Sequence, residues 1–355
     1  MLWQTALTLF ALFVQQVPAE YAKAVLVKDV VPDSSQSRIV SGWEARPGQH
    51  PHQVGLRMVN PHGEVSGCGG SLVHKEWIVT SAHCTAGRVT IVIRAGVTHV
   101  TRPEYMFEST VWYNHPTFND NLPTVVQPND ISLLKLIRPV TYSDNLRPIR
   151  IQSSSDAFRN YDGLKVYASG FGRTWTGGSQ PEVLNWVYLR GVSNLNCFNT
   201  FGSIITANTI CARFYNVTSQ SICQGDSGGP LVHEDPEGVP ILIGVSSFVA
   251  GGDFGCHSGF PGGFIRPGPF LSWFKEITGI DFENLDEEDD ETTTLEPPTS
   301  TTPAPEPTES PEESESESEE DSTEDPELLE LLKRLEVKVK VKVKLSKFGK
   351  KKKKD

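Results

Sequence analysis

The middle of the chain is built from short apolar runs that alternate or cluster, not from apolar positions at the helical period. Val89–Arg94, Lys165–Ala168, Val183–Leu189 and Ile241–Phe248 are rich in β-branched residues, and Gly, Pro, Asn and Asp gather between them. Many short strands with turn signals predict an all-β sandwich or barrel over residues 39–275. One segment departs from this. Pro267–Gly279 sets Phe270, Leu271, Phe274 and Ile277 at helical spacing, which predicts a terminal helix packed on the body.

The ends read differently. Leu2–Val14 is mostly apolar but too short for a membrane span, and Val17-Pro18-Ala19 offers small residues for cleavage. Residues 1–19 therefore read as a signal peptide, although no Lys or Arg precedes the apolar run. No other stretch suits a membrane span, so a soluble, secreted product is expected. Residues 20–38 are a short polar segment ending in Ser37-Arg38. Residues 281–330 hold twenty-two acidic and no basic residues among Thr, Ser, Pro and Glu, a composition that cannot bury enough apolar surface to fold. Thr292–Thr308 is similar to a mucin-like stalk. Residues 331–355 reverse the sign, with twelve basic and two acidic groups, and Val337–Leu345 alternates Val with Lys.

Charge locates the function away from nucleic acid. The net charge of −12 sits wholly in residues 281–355, while residues 39–280 carry seventeen charges of each sign. A neutral central block gives no electrostatic ground for a nucleic-acid partner. The six cysteines, Cys68, Cys84, Cys197, Cys211, Cys223 and Cys256, all lie in this block. An even number behind an export signal points to disulfides, with fifteen possible pairings. No Cys-x-x-Cys pair supports a zinc site, and no metal or organic cofactor is implied.

Three segments carry candidate chemistry: Thr80-Ser81-Ala82-His83-Cys84, Asn129-Asp130-Ile131-Ser132-Leu133-Leu134, and Gln224-Gly225-Asp226-Ser227-Gly228-Gly229-Pro230. Alone, His83 could be a core histidine, Asp130 a turn residue, and the glycines a tight turn. Together, in this order and beside cysteines, they resemble the trypsin/chymotrypsin family, over residues 39–275. The resemblance implies two six-stranded antiparallel β-barrels with the active site between them. It implies Ser227 as nucleophile, His83 as general base and Asp130 as the carboxylate that orients it, roles that the family itself exemplifies. The chemistry needs all three. A serine hydroxyl attacks poorly unless a base takes its proton, and a histidine near neutral pKa can take it and later protonate the leaving amine. The backbone N–H groups of Gly225 and Ser227 match the family's oxyanion hole, where losing one donor costs about 3–4 kcal/mol.

The same resemblance extends to activation. Arg38-Ile39-Val40-Ser41-Gly42 matches the family's activation site. Cleavage after Arg38 by a protease of trypsin-like preference frees the amino group of Ile39 to pair with Asp226. Without that cation a buried Asp226 is costly, so the pocket and oxyanion hole are expected to form poorly before the cut. No cysteine precedes Ile39, so the segment over 20–38 should leave. The implied disulfides are Cys68–Cys84, Cys197–Cys211 and Cys223–Cys256, each worth about 2–4 kcal/mol. Asn216-Val217-Thr218 is a glycosylation sequon.

The pocket positions implied by the family are Ser221 at the base, with Ser247, Val249 and Gly262 on the walls. A Lys or Arg side chain over Ser221 lacks a counter-charge, which disfavours basic substrates. Ser221 and Gly262 favour large uncharged side chains, whereas Val249 narrows the pocket toward smaller aliphatic ones, as in elastases. Chymotrypsin-like cleavage leads, with the elastase-like preference as its rival. Asp253, in the long stretch 250–255, lies near the entrance in one register and relaxes the bias against basic residues. A non-catalytic regulatory homologue is the reading from another class, and the intact triad argues against it. The expected partners are protein substrates, an activating protease, protease inhibitors, and a matrix or anionic surface touched by the tail; a solvated extension is the simpler role for that tail. A monomer is expected. The pattern is most similar to digestive chymotrypsins of insects, which points to a gut lumen.

Overall fold

The computed structural model describes residues 24–26, 42–174, 178–251, 255–256 and 258–285. The signal segment, Arg38, Ile39, Asp253, and the acidic and basic tail past Leu285 lie outside the described residues.

Two curled antiparallel sheets form the body. The first takes its strands in the order Tyr105–Ser109, Thr90–Ala95, Gln53–Val59, Val65–His74, Trp77–Thr80, Ser132–Lys135 and Trp112–Asn114. Alternation explains its core. Ile91, Ile93 and Ala95 point inward from one strand and meet Val54, Leu56, Ile78 and Leu134. No ladder joins its two ends among the described residues. These ends follow one another in the chain, and Ser109 Oγ donates to Lys135 O at 2.7 Å where strand bonds are lacking. The second sheet does close. Its path runs Pro240–Ala250, Pro230–Glu234, Lys165–Gly170, Asn185–Val192, Thr209–Phe214 and Gly262–Ile265, and the last strand pairs back with the first. One expected barrel is thus a closed six-stranded barrel, and the other is a curled sheet left open.

A third cluster holds the halves together. Val79 and Leu133 from the first sheet pack with Val232 and Val245 from the second, and with Phe274. Phe274 belongs to the expected terminal helix, which is a 3-10 turn at Gly268–Phe270 leading into Leu271–Thr278. Gly279, in left-handed backbone at φ +77°, ends it, as a helix terminus of this kind favours. Packing then runs further than composition suggested. Phe282 is buried, its ring 6.0 Å from that of Phe274, and Lys275 pairs with Asp281 at 2.8 Å. Residues 281–285, the start of the acidic segment, are thus packed on the body. A further helix, Asn194–Phe201, had no periodic apolar signal in the sequence. Ser193 caps it and Cys197 anchors it to Cys211.

All three implied disulfides are present: Cys68–Cys84, Cys197–Cys211 and Cys223–Cys256, with Cα separations of 6.4, 6.3 and 5.3 Å. Among the described residues no helix is long and apolar enough to cross a membrane.

Candidate active site

The two halves bring the three motif segments together. His83 lies in a short helical turn, Ala82–Thr85, entered directly from the strand Trp77–Thr80. Asp130 reaches it from the loop before Ser132–Lys135. Asp130 Oδ2 accepts from His83 Nδ1 at 2.7 Å, and Oδ1 accepts from the His83 backbone N–H at 2.8 Å. Ser247 Oγ, from the second barrel, donates to Oδ2 at 2.6 Å. All are completely buried. Burial alone pushes the Asp130 carboxyl up. The charge on His83 and the hydrogen bonds from His83 and Ser247 outweigh it, so the carboxyl is held below its usual range. This arrangement fixes the imidazole tautomer with Nδ1 toward the acid, leaving Nε2 as the basic atom.

Asn129 was not singled out from the sequence, yet it aims Asp130. It is the one non-glycine residue in left-handed backbone among those described, at φ +57°. Asparagine tolerates that region better than most residues. Its side chain donates to Thr117 Oγ1 and accepts from Asn208 Nδ2, both at 2.8 Å. An asparagine directly before the aspartate was the only available signal.

The Ser227 loop is pinned from both sides. Gly69 N–H, from the first sheet, donates to Ser227 O at 2.7 Å, and Gly228 N–H donates to Ser246 O at 2.8 Å. Gly228 sits at φ +76°, and a Cβ there would lie 2.1 Å from Thr80 Oγ1, so only glycine fits. The Ser227 hydroxyl is buried with no hydrogen-bond partner among the described residues. The N–H groups of Gly225 and Ser227 have no acceptor among the described residues.

Asp226 points away from Ser227 into the body. Its carboxylate accepts from Gly172 N–H at 2.8 Å and Cys223 N–H at 2.9 Å. No cation pairs with it among the described residues, and burial pushes its pKa up to about 6 against those two bonds. Gly170 and Gly172 make its room, since a Cβ on either would lie within 2.5 Å of the carboxylate. Neither glycine stood out in the sequence, because Ser169-Gly170-Phe171-Gly172 reads as an ordinary turn.

Of the expected pocket residues, Ser221, Ser247, Val249 and Gly262 are all buried. The Ser221 hydroxyl donates to Ile222 O at 3.1 Å. Ile222 is a residue the sequence reading missed. It shares one apolar cluster with Val249, Phe264 and the Cys223–Cys256 bridge. A Cβ on Gly262 would lie 3.3 Å from two Ile222 carbons. Beside Gly225 a groove of about 390 Å³ continues along Gly67, Arg57, Arg94 and Gln180. Asn216 is exposed in a turn. The His83 ring lies within 4.8 Å of Cys68 and Cys84, but both sulfurs are bonded to each other, so the trio is no metal site.

A buried acid–imidazole pair and a buried serine hydroxyl, carried by motif segments that meet between two curled β-sheets, mark a serine protease. The comparisons agree. The family model described as Trypsin matches residues 39–274, and the chain belongs to that family. It is 35% identical to a collagenase of Hypoderma lineatum over 248 residues, 70% of this chain and 90% of that one. It is 33% identical to Trypsin 5G1 of Aedes aegypti, covering 69% and 87%, and 31% identical to chymotrypsin-like elastase family member 1 of Rattus norvegicus, covering 68% and 90%. The solved structure of HL collagenase superposes with a TM-score of 0.60 at 33% identity, over 68% of this chain and 99% of that one. The protein is a serine endopeptidase that acts on protein substrates.

Proposed function

We propose that the chain is a secreted protease made as an inactive precursor, switched on by cleavage after Arg38, that cuts after uncharged residues. Ser227 is the nucleophile, His83 the base, Asp130 its orienting acid, and the N–H groups of Gly225 and Ser227 the oxyanion donors. The observation that carries this is the closed network of His83, Asp130 and Ser247 around a carboxylate held ionised, together with a buried Ser227 hydroxyl that has no partner among the described residues. Attack by Ser227 Oγ on a peptide carbonyl hands its proton to His83 Nε2. Asp130 stabilises the imidazolium, which then protonates the leaving amine. The switch rests on Asp226, a buried carboxylate with no cation beside it among the described residues, for which the freed ammonium of Ile39 is the natural partner.

Uncharged specificity follows from Ser221 at the pocket base, a residue with no carboxylate to receive Lys or Arg. Large side chains such as Phe and Leu are the first reading. The second, an elastase-like preference for smaller aliphatic residues, is favoured by Ile222, whose side chain lies 3.3 Å from where a Cβ on Gly262 would stand. The three disulfides suit an extracellular setting, and similarity to insect proteases makes a gut lumen the proposed one. The test is to cut the chain over 20–355 with trypsin, remove the trypsin, and assay peptides ending in Phe, Leu, Ala and Arg, with Ser227→Ala as control. Activity on uncharged residues only after the cut, absent from the control, is expected. Preference for Arg, or no activity despite a verified cut, overturns the reading.

A further inference from the structure

Part of the segment that precedes Arg38 is already docked. Ala24–Leu26 forms a strand that pairs antiparallel with the end of Pro240–Ala250, in the register Ala24 with Ala250, Val25 with Val249, and Leu26 with Phe248. The residues it covers, Phe248–Ala250, follow directly on Ser247, the residue whose hydroxyl holds Asp130. The docked strand therefore lies immediately beyond the triad network, on the stretch that carries Val249.

The placement is not a loose surface contact. Leu26 is fully buried, and Ala24 packs against the cluster of Phe201, Phe248 and the Cys197–Cys211 bridge. His83 and Ser227, the two groups that must meet a substrate, are both at 0% exposure. An open strand edge presents unpaired N–H and C=O groups, and an extended peptide satisfies them by adding a strand. Phe248 pairs with Gly263 on its other side, so only this edge is open to a newcomer. A peptide bound there uses the same backbone groups that any extended substrate would need.

We propose that Ala24–Leu26 is a built-in occupant of the substrate edge, an apolar strand that excludes substrate until the segment departs, and that the freed segment binds the same edge as an inhibitor. This rests on the protease reading above for the identity of the edge, but its structural part can be tested without activity. Leu26 is the anchor.

The experiment uses the uncut chain carrying Ser227→Ala, with and without Leu26→Asp. Amide hydrogen exchange is followed over residues 247–251, and both forms are compared. Exchange there is expected to be slow in the first and at least tenfold faster with Leu26→Asp, while exchange elsewhere in the barrel stays unchanged. Equal rates in the two forms overturn the proposal. In a second arm the synthetic peptide of residues 20–38 is added to the cut wild-type enzyme. Competitive inhibition is expected, weakened at least tenfold by Leu26→Asp in the peptide. Inhibition indifferent to that change overturns the inhibitory role. A cut enzyme that proves inactive while exchange still responds to Leu26→Asp sinks the protease reading and leaves the strand standing. An active enzyme whose exchange ignores Leu26→Asp does the reverse.

Discussion

Mild acid should destabilise the uncut chain, through two histidines that take no part in catalysis. His50 and His52 flank Pro51 and are both buried. Neither nitrogen of the His50 ring has a hydrogen-bond partner, and the ring packs 5.2 Å from Tyr167 and 5.4 Å from Trp186. Burial lowers the His50 pKa from 6.5 to about 4, and burial with the neighbouring His50 lowers that of His52 to about 3. Both rings are therefore neutral in the fold and gain protons on unfolding once the pH drops below 6.5, so their contribution is full above 6.5 and is lost on acidification. At about 1.4 kcal/mol per pKa unit, each histidine takes away roughly 2 kcal/mol between pH 7 and pH 5. Asp226 works in the opposite direction. Its carboxyl, raised to about 6, penalises the fold when ionised, and protonation over the same interval returns roughly 1 kcal/mol. The histidines win, for a net loss of roughly 2–3 kcal/mol, a large share of the ~5–15 kcal/mol that holds a typical domain. The assay is urea unfolding of the Ser227→Ala chain at pH 7, 6 and 5. A double variant, His50→Phe with His52→Phe, should lose most of the downward slope, leaving the opposed contributions of Asp226 and of His115, whose pKa burial also lowers. The slope is the readout, so any uniform cost of repacking does not matter. Stability that is equal or greater at pH 5 in the parent chain, or an unchanged slope in the double variant, would refute the reasoning.

Other perturbations act on the site itself. Ser247→Ala removes a hydrogen bond to an ionised carboxylate, worth about 1.5–3 kcal/mol, and should lower kcat of the cut enzyme roughly tenfold to a hundredfold; an unchanged kcat would place Ser247 outside the network. Val249→Gly opens one wall and should raise kcat/KM for Phe relative to Ala, read from a pair of peptide substrates; no change would mean that Ile222 alone sets the width. Gly172→Ala forces a methyl group into the Asp226 carboxylate and breaks its bond to the Gly172 N–H. It should cost about 1–3 kcal/mol by urea unfolding and slow activation by trypsin, whereas normal activation would detach Gly172 from the switch.

What the sequence revealed and what it hid divide along a physical line. The residues proposed to react sit in short segments of unusual composition, so His83, Asp130 and Ser227 could be picked out directly. Strands with alternating burial, such as Thr90–Ala95, and the helix around Phe274 were legible because one face must be apolar. Ile222 was not, since an isoleucine between Ser221 and Cys223 looks like any core residue until Gly262 is seen against it. Gly172 and Asn129 were hidden for a related reason. Each matters only through a partner fifty-four residues away for Gly172, and seventy-nine for Asn129, and no local pattern encodes such a contact. The docking of Ala24–Leu26 was the deepest of these, because its partner is an edge made by the far end of the chain.

The strand and Asp226 give one cut two consequences. While the segment is attached, Leu26 is held near its edge at the millimolar effective concentration typical of a short tether. Once Arg38 is separated from Ile39, nothing covalent retains it, since no cysteine lies in residues 1–38. At micromolar enzyme, dilution alone then lowers occupancy of the edge by up to roughly a thousandfold, without any change in the contacts. The same cut creates the ammonium proposed to pair with Asp226, which has no cation beside it among the described residues. Its carboxyl, about two units above the ordinary value, carries roughly 3 kcal/mol of cost at neutral pH that an ammonium partner removes. The two effects draw on separate parts of the molecule, so Leu26→Asp alone should uncover the edge without ordering the Asp226 pocket. Full activity should need the new amino terminus as well. Ordering of the pocket without the cut would break the link between Asp226 and Ile39, and it would leave the strand as the sole restraint.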